Sequence, residues 1–291
     1  MPQLPRIDML IPPEMAAKAE DAGVAKASMG WRNMFLLAIL AGAFISLGAI
    51  FSTSVTAGAV QQLPYGIVRL LGGFVFCLGL ILVIVAGAEL FTGNNLIIMA
   101  WSSRKISTYQ LLRNWVIVYL GNLAGSLLTV WLMINTGQYM FGKGLVGLNI
   151  LNIAEAKCSL GFFQALMLGI MCNALVCLAV WLCFSARTTT DKILSIIFPI
   201  TAFVTAGFEH SVANMYFIPV GIMVQKTAPE QFWALIGKAP GDYAILSWQN
   251  FIFANLLPVS VGNIIGGAFL VGMVYWFVYI RQPRVMPFSK E

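Results

Sequence analysis

Charged residues, histidine and paired cysteines are all scarce in this chain. Only 10% of its 291 residues are charged, one is histidine and five are cysteine. The cysteines form no CxxC pair and have no histidine at ligand spacing, so we predict neither a disulfide framework nor a metal site. A single histidine also argues against the paired ligands of a haem or quinone subunit. We therefore expect no cofactor and no enzyme.

Apolar residues dominate what remains. They make up 59% of the chain, and the mean hydropathy is +0.86. A soluble globule of this length does not have this composition, so the expected medium is lipid. Six stretches without charged residues match a hydrocarbon core of roughly 30 Å: 34–51, 70–88, 116–134, 162–185, 193–208 and 251–280. The sequence predicts an all-α membrane protein with six transmembrane elements and no cleaved signal peptide.

The net charge of +6 is spread over short loops, which argues against a nucleic-acid partner. Twelve of the 17 lysines and arginines fall on one side of the membrane if both termini are cytoplasmic. The positive-inside rule therefore predicts cytoplasmic N- and C-termini. We divide the chain into an N-terminal segment (1–30), one transport domain (31–281) and a cytoplasmic tail (282–291).

Two motifs occur twice. The pattern Asn-x6-Gly-Asn-x2-Gly stands at 114–125 and again at 255–266, and Ala-Gly-x-Glu-x4-Asn stands at 86–94 and 206–214. The halves, about 31–135 and 160–281, each hold three elements, and an odd number makes the second half inverted. An inverted 3+3 repeat is typical of transporters and channels. Close helix packing through the small residues is an alternative explanation of the first motif, and both can hold together.

The second and fifth elements are too long for simple spans. Residues 66–101 would reach roughly 54 Å as one helix at about 1.5 Å per residue. The repeated motifs place polar, turn-prone residues in the middle of each element, which predicts two interrupted helices that meet near the midplane. Unpaired backbone groups at such breaks are tolerated only where protein or a water-filled cavity covers them, so we expect the breaks to line the pathway. Helix N-termini pointing at that cavity favour an anion.

His210 lies inside an apolar element, beside Glu209 and in the same motif as Asn214. A structural histidine is the alternative, but an ionisable residue inside a membrane is a functional candidate by default. Its imidazole can exchange a proton with a weak-acid anion or hydrogen-bond that anion as a neutral donor. We expect Glu209 and its counterpart Glu89 to be structural, accepting hydrogen bonds from the backbone at each break, because a carboxylate in the pore would repel an anion.

Further candidates have ordinary alternatives. The Thr92 hydroxyl either serves an anion or bonds its own backbone. Amides such as Asn173, which we place next to His210, commonly join membrane helices. Lys157 either draws anions into a vestibule or is a solvated loop charge. Apolar side chains could form constrictions or simply pack: Phe76, Leu80, Leu90, Phe91, Phe203 and Phe208. Residues 14–26 have the pattern of an interfacial helix that gates the pore or anchors the terminus.

The motifs AGAELFTGN at 86–94, NALVCLAVW at 173–181 and GFEHSVANM at 207–215, with the duplicated glycine motif, resemble the formate–nitrite transporter family. The resemblance extends over 10–281, and the run after GFEHSVANM is most similar to the formate-channel branch. The segment AELFTG is more similar to the nitrite and hydrosulfide branches. Nitrite and hydrosulfide therefore stay alternatives to formate.

The resemblance implies an aquaporin-like protomer in a homopentamer within the inner membrane, surrounded by lipid. The substrate it implies is formate, with nitrite, hydrosulfide, acetate and lactate as further anions; a neutral-solute pore is a weaker alternative. Matched positions imply a role for each residue: His210 as the central histidine, Thr92 as the slit-loop threonine, Asn173 as the neighbour of the histidine, Leu80 with Phe203 as the cytoplasmic constriction, Phe76 with Leu90 as the outer one, Lys157 as the vestibule lysine and Lys26 in a gating N-terminal helix.

Overall fold

The computed structural model describes residues 9–59 and 62–281, and all regular elements within these residues are helical. The predicted cytoplasmic tail, 282–291, lies outside them. Short 3-10 turns join some of the helices, and the last helix contains two π-helical stretches. The helices are α1 (Pro12–Ser28), α2 (Trp31–Thr56), α3 (Tyr65–Ala86), α4 (Ile98–Ser102), α5 (Thr108–Thr136), α6 (Leu145–Cys158), α7 (Phe162–Ser185), α8 (Thr189–Thr205), α9 (Ser211–Thr227), α10 (Glu230–Ile236) and α11 (Asn250–Tyr279).

Five of these helices are long and apolar enough to cross a membrane: α2, α3, α5, α7 and α11. Their most apolar windows have mean hydropathies of 1.8 to 2.6, yet at most half of each window is buried within the chain. The remaining apolar surface needs lipid or other protein around it. The prediction of an all-α membrane protein is confirmed.

The glycines of the duplicated motif bring helix backbones into direct contact. A Cβ on Gly125 of α5 would lie 2.0 Å from the carbonyl oxygen of Ile39 in α2. In the second half, a Cβ on Gly266 of α11 would lie 2.1 Å from the carbonyl oxygen of Ile170 in α7. Only glycine permits such an approach, so close packing is one function of the motif.

Both predicted helix interruptions are present. The helix α3 ends at Ala86, Gly87 takes a φ of +82°, and a five-residue 3-10 helix (Gly93–Ile97) leads into α4. The helix α8 ends at Thr205, Gly207 takes a φ of +76°, and α9 begins at Ser211. Left-handed backbone is adopted most readily by glycine, which explains why each break begins with one.

The N-terminal helix α1 is docked on the other helices. Lys105, between α4 and α5, donates a hydrogen bond of 2.6 Å to buried Glu20 of α1. This hydrogen bond raises the pKa of Lys105 above its ordinary value of 10.5. Lys18 of α1 donates to the carbonyl oxygen of Phe184 near the end of α7. The predicted helix at 14–26 is therefore present, and it packs against both halves of the chain.

Candidate functional site

A cavity of about 440 Å³ leads from the ends of α2 and α3 to His210. Its walls come mainly from α3, α6 and the second break, which closes its inner end, with further residues from α2, α8 and α9. Thr56 and Tyr65 lie at one end, with Phe203 and His210 at the other. The two breaks meet at this inner end, since the Thr92 hydroxyl of the first lies 2.9 Å from Nε2 of His210 in the second.

The hydrogen bonds of His210 determine which ring nitrogen carries its proton. The residue is the N-cap of α9, and its Nδ1 accepts a hydrogen bond of 3.1 Å from the backbone N–H of Ala213. A neutral imidazole that accepts at Nδ1 carries its proton on Nε2, so Nε2–H is a donor directed at Thr92. The ring is 3% exposed and stacks on Phe203 at 5.9 Å between ring centroids. Thr92 is completely buried, and its hydroxyl contacts the imidazole.

The backbone at each break is held by an asparagine from the Gly-Asn motif. Asn122 of α5 donates to the carbonyl oxygens of Ala38 and Glu89, and its side-chain oxygen accepts from the N–H of Phe91. Every bond is between 2.8 and 2.9 Å. Polar backbone groups that a broken helix leaves unpaired thus find partners inside the protein, as the absence of water requires.

The second break is held in the same way. Asn263 of α11 donates to the carbonyl oxygens of Gly169 and Glu209, and its side-chain oxygen accepts from the N–H of Ser211. Its three bonds are 2.8 to 3.0 Å long. Asn122 and Asn263 thus link membrane helices to each other and also stabilise the breaks.

The prediction that the glutamates accept hydrogen bonds from backbone N–H groups is wrong. Glu209 accepts from Nζ of Lys157 at 2.8 Å and from the side-chain amides of Asn214 at 2.6 Å and Asn255 at 3.3 Å. Its carboxylate is buried, and Asn255 also donates to the carbonyl oxygen of Lys157. Asn263 already makes the side-chain hydrogen bond to the backbone at the break, so the carboxylate of Glu209 bonds to the lysine and the amides instead.

Glu89 has the matching set of partners in the first half. It accepts from Nζ of Lys26 and from the amide of Asn94, which also donates to Asn114. Asn114 in turn donates to the carbonyl oxygen of Lys26. Lys26 therefore contacts the first break directly, since its ammonium is paired with a carboxylate of that break. Its predicted role in gating stays a prediction.

Lys157 is not the solvated loop charge that the sequence alone favoured. It belongs to α6, its side chain is 16% exposed, and it lies in the wall of the cavity. The ion pair with Glu209 neutralises its charge. Lys157 is therefore placed at the cavity as the resemblance implied, but as half of an ion pair and not as an unpaired cation.

Asn173 contacts the site through Thr92. Its amide donates to the carbonyl oxygens of Thr92 and Asn263 and to the side-chain oxygen of Asn95. It therefore joins the first break to α11, and its hydrogen bonds reach the loop that carries Thr92 instead of the imidazole. We predicted that Asn173 lies next to His210. In the structure Thr92 stands between Asn173 and His210 and is hydrogen-bonded to both.

The four residues that were predicted to form two paired constrictions differ in their position relative to the cavity. Phe76 and Phe203 contact each other edge to face, with ring centroids 5.8 Å apart, and both line the cavity. Leu80 and Leu90 are buried but are not part of the cavity wall. The assignment of these four residues to a cytoplasmic and an outer constriction stays a prediction.

Most residues of the cavity wall were not predicted as site residues, and two of them have contacts that bear on its chemistry. Phe217 of α9 stacks with Phe76 at 6.3 Å and lies under the ammonium of Lys157 at 5.4 Å. Arg69 of α3 lines the cavity and donates hydrogen bonds to the carbonyl oxygens of Val204 and Thr205. The signal for Arg69 was a cation within an otherwise apolar element, whereas Phe217 had no distinguishing signal.

Comparison with known proteins agrees with this architecture. Residues 13–277 match the family model described as "Formate/nitrite transporter". The chain is 47% identical to "Formate channel FocA" of Escherichia coli (strain K12) over 275 residues, 94% of this chain and 96% of that protein. It is 37% identical to "Probable formate transporter" of Methanothermobacter thermautotrophicus, over 88% of this chain and 92% of the relative.

Solved structures give the same result. "Pentameric formate channel with formate bound" superposes with a TM-score of 0.82 at 50% identity, over 86% of this chain and 98% of that one. "FNT family ion channel" superposes with a TM-score of 0.76 at 27% identity, over 91% and 98%. The resemblance to the formate-channel branch is thereby confirmed. This chain is a multi-pass membrane protein and belongs to the formate/nitrite transporter family.

Proposed function

We propose that this chain is a channel that passes formate across the inner membrane, with His210 as the residue that meets the anion. The observation that carries the proposal is the contact between Nε2 of His210 and the Thr92 hydroxyl where the two helix breaks meet at the end of the cavity. Identity of 47% to a formate channel over nearly the whole chain supports the substrate. A channel of this family moves its substrate without converting it, so no enzymatic activity is proposed.

The neutral imidazole offers what a small carboxylate needs at the centre of a membrane. An anion that leaves water loses hydrogen bonds, and it can regain one by replacing the Thr92 hydroxyl as the acceptor of Nε2–H. The Thr92 O–H is then free to donate a second hydrogen bond to the anion. The N-terminus of α9 adds a favourable dipole at the same place. The imidazole can also pass a proton to the weak acid, so pH-dependent flux follows. Phe76 and Phe203 form the apolar passage before this point.

We further propose the inverted 3+3 repeat, with six membrane elements in an aquaporin-like arrangement and the breaks at the midplane. In support, the hydrogen bonds of Asn122 and Asn263 correspond one for one. Glu89 and Glu209 each accept from a lysine and from the asparagine five residues later, and Glu209 accepts in addition from Asn255. The distribution of basic residues supports cytoplasmic termini. A homopentamer is proposed from the relative that is described as pentameric.

The proposal predicts that His210→Phe abolishes pH-dependent formate uptake, because phenylalanine fills the site without a donor or a titratable group. The measurement is formate uptake into proteoliposomes between pH 5 and 8. Tyr109→Phe is the matched control, because Tyr109 is 74% exposed on α5. Unchanged pH-dependent uptake in His210→Phe would contradict the role of the histidine.

Nitrite or hydrosulfide is the alternative substrate, favoured by the AELFTG segment. A hydrogen-bond donor pair serves any small monovalent anion, so geometry alone does not rank the three. Competition among formate, nitrite and hydrosulfide in the same vesicles, with acetate and lactate as larger probes, establishes the order. Swelling assays with uncharged solutes distinguish a neutral-solute pore.

A further inference from the structure

Two cations line the cavity that leads to His210, and their electrostatic states differ. Lys157 donates to Glu209 at 2.8 Å, within a buried cluster that also contains Asn214. The Lys157–Glu209 ion pair therefore contributes almost no net charge to the cavity. An anion that approached Lys157 would meet the charge of Glu209 immediately behind it, so the net attraction is small.

Arg69 is the other cation. Its Nε donates to the carbonyl oxygen of Thr205 at 3.5 Å, and one Nη donates to that of Val204. Carbonyl groups are neutral, and no carboxylate among residues 9–59 and 62–281 lies within ion-pair distance of the guanidinium. Its second Nη makes no hydrogen bond within the same part of the chain. Arg69 thus brings an uncompensated positive charge to the cavity.

The packing around Arg69 fixes the position of this charge. The residue stands in the first half of α3, is half-buried, and reaches across to the last carbonyl groups of α8. Those carbonyl groups hold the planar fork in one orientation, which lowers the entropy cost of binding an anion to the remaining donors. The guanidinium also stays charged at any physiological pH.

We propose that Arg69, and not Lys157, is the group that draws the anion into the cavity before it reaches His210. This inference rests on the proposed passage of formate. A single unpaired charge in a cavity with apolar walls focuses the field, which raises the local anion concentration. The effect is screened by salt because the Debye length is about 10 Å at 0.1 M and about 3 Å at 1 M.

Formate currents in planar bilayers test the inference, with formate added first to one side and then to the other. In Arg69→Gln, which keeps an amide donor but loses the charge, we expect the half-saturating formate concentration to rise about five-fold at low ionic strength. This rise should be confined to the side on which the cavity opens, and it should vanish near 1 M salt. Maximal current should change little, because the histidine site is intact.

The controls separate charge from structure. Lys238→Gln makes the same change in net charge at an exposed residue outside the cavity, and wild-type half-saturation is expected. Arg69→Lys keeps the charge without the two-armed contact to α8, and near wild-type half-saturation is expected. A five-fold rise in Arg69→Lys, or salt-independent half-saturation in wild type, overturns the inference even if Arg69→Gln does not assemble. Absence of any wild-type formate current contradicts the proposed function instead.

Discussion

Lysine, glutamate and asparagine form a hydrogen-bonded cluster at each helix break, and the lysine of the second break is the more buried of the two. At the second break, the carboxylate of Glu209 and the ammonium of Lys157 are both largely removed from solvent. Burying two charges costs free energy that their attraction and hydrogen bonds must offset. The amides of Asn214 and Asn255 donate those extra hydrogen bonds to the Glu209 carboxylate. The buried charge of Glu209 is therefore stabilised jointly by the lysine and the two amides.

Removing only the lysine should therefore destabilise the protein. In Lys157→Met the Glu209 carboxylate stays buried without a counter-charge, and breaking a buried pair costs about 3–5 kcal/mol. The measurement is the thermal unfolding of purified protein in detergent. The double variant Lys157→Met/Glu209→Gln should regain part of the loss, because the neutral amide needs no counter-charge.

Lys238→Met is the control for the loss of a lysine at an exposed position, and little change in the unfolding temperature is expected. If the single and double variants were destabilised equally, the cost would come from lost packing of the lysine side chain. That result would refute the argument from the unpaired charge.

At the scale of the elements, close backbone contact between α2 and α5, and between α7 and α11, positions the asparagines at the breaks. Gly125 is less than one helical turn from Asn122 on α5, and Gly266 stands in the same relation to Asn263 on α11. A wider separation of the helices would lengthen the bonds from these amides to the backbone. Packing and the geometry of the site are thus linked through the same motif.

This link predicts a large effect of Gly125→Ala. The new Cβ would lie 2.0 Å from the carbonyl oxygen of Ile39, a backbone atom that cannot rotate away. Overpacking of this kind costs typically 1–3 kcal/mol or more. We expect a marked drop in the yield and unfolding temperature of the assembled protein, and the same for Gly266→Ala.

Gly66→Ala in α3 is the matched control, because nothing lies within 4 Å of its Cβ position. Alanine has the higher helix propensity, so this variant should be unchanged or more stable by up to about 1 kcal/mol. Equal unfolding temperatures in Gly125→Ala and Gly66→Ala would show that the close approach at Gly125 is not required.

At the scale of the whole molecule, the spans leave large apolar surfaces uncovered within one chain. No candidate span has more than half of its most apolar window buried. Lipid covers part of this surface, and further copies of the chain would cover another part without closing the cavity, which lies among the helices of a single chain.

The proposed homopentamer predicts a defined mass. Native mass spectrometry from mild detergent should give a main species of five times 31.7 kDa plus bound lipid. A main species of one, two or three chains would contradict the pentamer.

Much of the fold follows from local features of the chain. Long apolar stretches specify membrane helices because unpaired backbone is too costly in lipid. A glycine followed by polar residues in such a stretch specifies a break, and Gly87 and Gly207 are found at positive φ where the motifs placed the interruptions. A lone histidine in the same stretch marked the site. These properties depend on neighbours along the chain, so composition and motif spacing were sufficient to predict them.

Which residues distant in sequence contact each other was decided only by the tertiary structure. Lys26 and Glu89 are 63 residues apart, and Thr92 and His210 are 118 residues apart. From the sequence we expected the glutamates to bond to the backbone at the breaks. In the folded chain Asn122 and Asn263 make the hydrogen bonds to that backbone, and the two glutamates are paired with lysines. The physical reason is that hydrogen bonds require contact within about 3 Å, and which side chains reach that distance depends on the register between helices, which local sequence does not encode.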